Sequence, residues 1–139
     1  MSSSAVRILC VDDDAATLDG LRELLARWGF RVVAVDSPEA AQALDASYDI
    51  VLADYHLQNR PAGLELLDRL VRHAPVGQRR AGALLTADAT EKLVREADEL
   101  GFPVLRKPVR PAALRALVAA LVDRRARANQ GSSSTGGAN

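Results

Sequence analysis

The chain has 139 residues, 48% of them hydrophobic and 26% charged, enough for one domain with its own core and not the make-up of a mainly disordered protein. Eighteen basic residues balance eighteen acidic ones, so the chain lacks the net positive field on which most non-specific nucleic-acid binders rely. Cys10 is the one cysteine, which excludes an intrachain disulfide and a cysteine-rich metal site. Apolar runs fall short of the roughly 18–20 residues that cross a bilayer. The opening Met-Ser-Ser-Ser-Ala lacks the basic and long apolar segments of a secretory signal, so the expected location is cytoplasmic.

Residues 7–11 form a short apolar run, a first strand, ending at Asp12, Asp13 and Asp14. Leu18, Leu21, Leu24, Leu25 and Trp28 then recur at helical spacing, with Gly29 as the stop. Residues 31–35 read as a second strand ending at Asp36. Ser37 and Pro38 open a short helix as its cap and first residue. Residues 49–53 make a third strand that stops at Asp54. After a loop with Pro61 and Gly63, Leu64, Leu67, Leu70 and Val71 repeat with helical period.

A fourth strand over 81–85 ends at Thr86, and residues 90–100 are helical in pattern, stopped by Gly101. Residues 103–105 are a short strand before Arg106, Lys107 and Pro108. The last helix runs from about 111 to 125, with Leu114, Leu117, Val118 and Leu121 on one face. The expected organisation is a leader over 1–5, one domain over 6–127 and a disordered Ser/Gly-rich tail over 128–139. Largely apolar strands separated by helices imply a doubly wound α/β fold, a parallel sheet covered on both faces. The chain is too short for an eight-unit barrel.

In such sheets ligands gather beyond the carboxyl ends of the strands. Those ends present Asp12 and Asp13, Asp54, Thr86 and Lys107, while Asp36 belongs to a strand expected at the sheet edge. Each residue alone fits a cap, a turn or a solvated loop charge. Together, packed acids repel one another unless a cation intervenes, and an all-oxygen donor set suits a hard divalent ion, Mg2+ first.

The order and spacing of Asp12-Asp13, Asp54, Thr86 and Lys107-Pro108 resemble the receiver domain of two-component response regulators, over residues 6 to about 125. The resemblance implies a flavodoxin-like (CheY-like) (βα)5 sandwich around a five-stranded parallel sheet. It also implies that Asp54 accepts a phosphoryl group from a histidine kinase or histidine phosphotransfer domain. Asp12, Asp13, Asp54 and the main-chain carbonyl of His56 match the Mg2+ ligands. Thr86 matches the hydroxyl that senses the phosphoryl group, and Lys107 the ammonium that pairs with it. The segments at 8–14, 52–57, 84–88 and 101–111 look like the receivers at the C-terminal end of hybrid sensor histidine kinases. Many receivers carry an aromatic residue three positions before the lysine, where this chain has Val104.

Other readings compete with this one. A receiver-like module could dock partners without phosphorylation; the intact set of Asp12, Asp13, Asp54, Thr86 and Lys107 argues against that reading, and Val104 keeps it open. A phosphoaspartyl hydrolase could use the spacing of Asp12 and Asp14, yet the chain has no cap domain and Asp54 would be left without a role. A dinucleotide site would need a Gly-rich loop where three aspartates stand. Arg79 with Arg80, and Arg124 with Arg125 and Arg127, read as short basic runs on solvated surfaces, so no direct nucleic-acid contact is expected. His73 suits a helix C-terminus and Cys10 a buried small hydrophobe. Val94, Leu100 and the last helix leave homodimerisation open.

Overall fold

The elements follow one another as β1 (Arg7–Val11), α1 (Ala15–Arg27), β2 (Arg31–Val35), α2 (Pro38–Ala43), β3 (Ile50–Asp54), α3 (Gly63–Arg72), β4 (Ala81–Thr86), α4 (Glu91–Glu99), β5 (Val104–Arg106) and α5 (Pro111–Ala138). This is a computed structural model, describing the backbone of residues 5–138 and the side chains of residues 5–127. The alternation expected from the sequence is present, with ends displaced by a residue or two: β3 takes in Asp54, β4 takes in Thr86 and β5 takes in Arg106. Of the expected leader, residues 1–4 lie outside the described residues, as does Asn139 at the end of the tail.

The last helix differs from the expectation. Composition ends it near residue 125, but the backbone of α5 is helical to Ala138. Nucleating a helix is costly, whereas each further residue on a formed helix adds its own hydrogen bond. The packed first turns of α5, with Leu114, Val118 and Leu121 buried, supply that nucleus.

All neighbouring strands pair in parallel, in the order β2-β1-β3-β4-β5. The chain runs outward from β1 to β2, then returns past β1 to start β3. That reversal opens a crevice beyond the carboxyl ends of β1 and β3, where open α/β sheets hold their ligands. Asp36 follows the edge strand β2 and is exposed, as expected.

Alternation along each strand divides the core into two layers. Leu9, Val11, Val51, Ala53 and Leu84 face Ala41 of α2, Leu66, Leu67 and Leu70 of α3, and Leu93 and Ala97 of α4. Ile8, Cys10, Ile50, Leu52, Ala83 and Leu85 face Leu21 and Leu25 of α1 and Leu114, Val118 and Leu121 of α5. β3 and β4 are buried at every position, which explains why they read as continuous apolar runs.

The helix starts are fixed locally. Asp14, Ser37 and Thr90 cap α1, α2 and α4 by accepting hydrogen bonds from the N–H groups of Thr17, Ala40 and Leu93. α3 has no side-chain cap and begins instead at the buried Gly63. Among the described residues no helix is long and apolar enough to cross a membrane.

Candidate functional site

β1 and β3 deliver their aspartates to the crevice. Asp12 follows β1 and is fully buried, Asp54 ends β3 with 7% of its surface exposed, and Asp13 is exposed at the rim. One carboxylate oxygen from each of the three lies within 4.8 Å of the others. Thr86 ends β4 next to Asp54's own partner, Leu85, and is fully buried. Lys107 follows β5 and reaches back, its Nζ 2.8 Å from Asp12 Oδ2 and 3.2 Å from Asp54 Oδ2. The Lys107–Pro108 peptide is cis. The four strand ends singled out in the sequence therefore meet.

The aspartates are not equivalent. Both oxygens of Asp12 are engaged, Oδ1 by the Asp14 N–H at 2.9 Å and Oδ2 by Lys107. Asp13 accepts a hydrogen bond from the Gln58 N–H at 2.8 Å. Asp14 turns away to cap α1, and its hydrogen bonds from the Thr17 hydroxyl and N–H hold its carboxyl below the usual range. Among the described residues the Asp54 carboxylate pairs with Lys107 alone, through Oδ2, and its Oδ1 takes no hydrogen bond. Burial, then the neighbouring charges of Asp12 and Asp13, raise the Asp54 carboxyl above the ordinary value, against the opposing pull of Lys107. Burial alone would lower the Lys107 ammonium, but the hydrogen bond and charge of Asp12, followed by those of Asp54, raise it.

Three carboxylates thus face one ammonium, and the cluster carries unbalanced negative charge. Converging hard oxygens with an excess of negative charge fit a divalent cation of the Mg2+ type, and the residues present suit it.

His56, two residues past Asp54, is exposed, with its ring edge-on to Tyr55 at 4.8 Å between centroids. His73 is the C-terminal cap residue of α3, remote from the crevice, as expected. Cys10 is buried in β1, and burial, reinforced by the Asp12 charge, pushes its thiol up to about 12, so it is not a nucleophile at neutral pH. Val104 is half-buried against the α2–α4 layer of the core.

Three contributors escape sequence reasoning. The Gln58 N–H that holds Asp13 is a backbone group in a turn where Gln58 and Asn59 adopt positive φ of 56° and 63°. Gly63 lies so close to the end of β3 that an added Cβ would collide with the Asp54 carbonyl oxygen and come within 2.6 Å of the Tyr55 Cα. Arg106 donates to the Ala89 carbonyl at 3.3 Å, tying β5 to the loop after Thr86. The Pro61–Gly63 spacing was the sole local signal for any of them.

The response regulator receiver domain family matches residues 8–119. Among solved structures, the chain is similar to a CheY-like response regulator receiver domain protein from Methanospirillum hungatei JF-1. Identity is 26% and the TM-score 0.76, over 89% of this chain and 98% of that one. Two others share the fold at lower identity. The signal receiver domain of an HD domain-containing protein from Pseudomonas fluorescens Pf-5 has 24% identity and a TM-score of 0.78, over 89% of this chain and 99% of that one. A response regulator from Thermotoga maritima has 22% identity and a TM-score of 0.73, over 86% and 99%. No curated protein matches the chain. With the family matched across most of its length and its five-stranded fold shared, the chain belongs to the response regulator receiver domains of two-component signalling.

Proposed function

We infer that Asp54 accepts a phosphoryl group from a phosphohistidine, on a histidine kinase or a histidine phosphotransfer domain, and that the change is read by a partner protein. The observation that carries this reading is Asp54 itself: nearly buried at the switch-point crevice, its carboxylate pairs among the described residues with Lys107 alone, while Asp12 has a partner on each oxygen. An Asp54 oxygen attacks phosphorus in line, the P–N bond to the donor imidazole breaks, and the departing nitrogen keeps the electron pair. Asp54 then holds an acyl phosphate, a mixed anhydride that water can cleave, so the mark is temporary.

Asp12, Asp13, Asp54 and the His56 main-chain carbonyl are the groups that would hold Mg2+. The ion, when bound, offsets the repulsion between carboxylate and phosphoryl group. Lys107 already stands 3.2 Å from Asp54 and pairs with the phosphoryl oxygens as they gain charge.

Thr86 couples the site to the surface. Its Oγ1 now accepts the Asp88 N–H at 3.1 Å, leaving its hydroxyl proton for a phosphoryl oxygen. Rotating to donate there releases Asp88 and moves the loop before α4, to which Arg106 ties β5. With Val104 in place of an aromatic residue, this loop, not a swinging ring, carries the signal to the face of α4, β5 and α5. Val94 of α4 and Leu100 at its C-terminal cap are exposed and offer apolar contact to a partner, including a second copy.

The hydrolase reading loses its residues: Asp12 is held at both oxygens, by the Asp14 N–H and by Lys107, and Asp14 is a cap. The test is a titration of the full chain with beryllofluoride, a phosphoryl mimic, followed by amide spectra. Shifts across residues 86–107 that need Mg2+ and vanish in Asp54→Asn are expected. An unchanged spectrum would return the domain to phosphorylation-independent docking.

A further inference from the structure

Arginines that the sequence places in separate short runs converge at the opposite end of the sheet from the acids. Arg79 and Arg80 precede β4, Arg124 and Arg125 lie on α5, and Arg72 ends α3; all line one cavity of about 350 Å³. Val71, Ala81, Gly82 and Phe102 add apolar surface, and among the described residues no acidic one lines it. Four of the five arginines in the runs read as solvated surface thus share one concave site, Arg127 pairing instead with Asp123.

The charge there is fixed more than it is neutralised. Arg125 pairs with Asp49 at 2.7 Å and Arg72 with Asp68 at 3.0 Å, both acids lying outside the cavity lining. Three of the guanidinium groups lean on neutral carbonyls: Arg124 on Gly101 at 2.6 Å, Arg80 on Leu70 at 2.9 Å, and Arg125 on Arg79 at 2.9 Å. Among the described residues the Nε of Arg80 is buried without a hydrogen-bond partner, a donor withdrawn from water and left over. Arg80 is held from its other side by stacking on Tyr48 at 3.8 Å. Planar donors pinned by carbonyls are preorganised for an oxyanion, which guanidinium recognises in a two-pronged fashion.

We propose that this cavity binds a small organic oxyanion with two or more negative charges, a phosphate ester or a polycarboxylate. Its oxygens lie on the arginines and its carbon skeleton covers the apolar surface at Gly82. The cavity sits within the size range of small-molecule sites, and its mix of apolar surface and a few charged groups is what such sites show. It is independent of the phosphoacceptor reading, because its residues stand at the amino end of β4 and the phosphoryl site at the carboxyl end.

The test is calorimetry on the full chain without divalent ions, using AMP, citrate and inorganic phosphate as probes. Saturable one-to-one binding of AMP or citrate is expected, roughly tenfold or more tighter than inorganic phosphate. The stronger of the two organic probes identifies the ester or the polycarboxylate. Arg72→Gln with Arg124→Gln should weaken that binding about tenfold while leaving the melting temperature and phosphoryl uptake at Asp54 unchanged. Amide shifts at Gly82 and Gly101 on adding the probe mark the site; if the double variant is unstable, Arg72→Gln alone and these shifts still decide. No saturable binding up to about 10 mM, a range weaker than ordinary ligand sites, would overturn the proposal. So would binding that the variants leave intact.

Discussion

At the carboxyl ends of the strands, Asp12, Asp54 and Thr86 are buried around a single lysine, whereas at the amino ends arginines from α3, α5 and the entry to β4 gather, Arg80 and Arg124 on backbone carbonyls, Arg72 on Asp68 and Arg125 on Asp49. Each charge suits its end. Helices in these units point their N-termini toward the strands' carboxyl ends, where the macrodipole favours anions, and Arg69 and Arg72 occupy the last turn of α3, where it favours cations. The difference lies in how the charge is held. Carbonyls and acids outside the cavity hold arginines there, while the acids at the other end crowd each other and raise Asp54. One end is a stable receptor surface; the other stores repulsion that a divalent cation can relieve.

Glycine substitutions separate the two ends most sharply. Gly63→Ala forces a Cβ against the backbone of Asp54 and Tyr55, which cannot swing aside, so a loss of about 3–5 kcal/mol is expected by urea unfolding. Gly82→Ala at the amino end meets mainly the tip of the Leu67 side chain, with the Val51 carbonyl at 3.3 Å, and should cost about 1–3 kcal/mol. Equal losses would remove the distinction between a rigid and a yielding neighbour.

Lys107→Met leaves Asp12 buried beside Asp54 with no ammonium. A destabilisation of about 2–3 kcal/mol is expected without divalent ions, and added Mg2+ should recover part of it. A loss that Mg2+ does not touch would argue against charge as its cause.

Asp54→Asn should have the opposite sign, stabilising the ion-free protein by about 1 kcal/mol at neutral pH. Because the folded-state value of Asp54 is raised, its favourable contribution is complete below the unfolded carboxyl range and is lost as pH rises through the folded value. The gain from the amide therefore appears above that value and vanishes in acid, as melting curves across pH would show. The smallest effect belongs to the arginine end: Asp68→Asn opens the exposed pair with Arg72 and should change stability by no more than about 0.5 kcal/mol.

The layout of the acidic end was legible because strand, stop and acid are adjacent in the chain. Apolar runs ended at Asp12, Asp54 and Thr86, and a parallel sheet brings such ends together whatever the loops do. What could not be read was supplied by backbone or by approach in space. The Gln58 N–H on Asp13 has no sequence signature, and the contact of Gly63 with the end of β3 depends on how α3 enters. The arginine cavity was hidden by distance along the chain: Arg125 reaches Arg79 across a separation of 46 residues, and each run alone looks like solvated surface. The length of α5 was missed because a tail rich in Ser and Gly carries no apolar period to mark a helix.

The most direct measurement of the central claim is the intact mass of the chain after incubation with acetyl phosphate, with and without Mg2+, alongside Asp54→Asn. A gain of one phosphoryl group, about 80 Da, that requires Mg2+ and is absent from the variant is the expected result. An unmodified wild-type chain, or a gain that persists in Asp54→Asn, would contradict it.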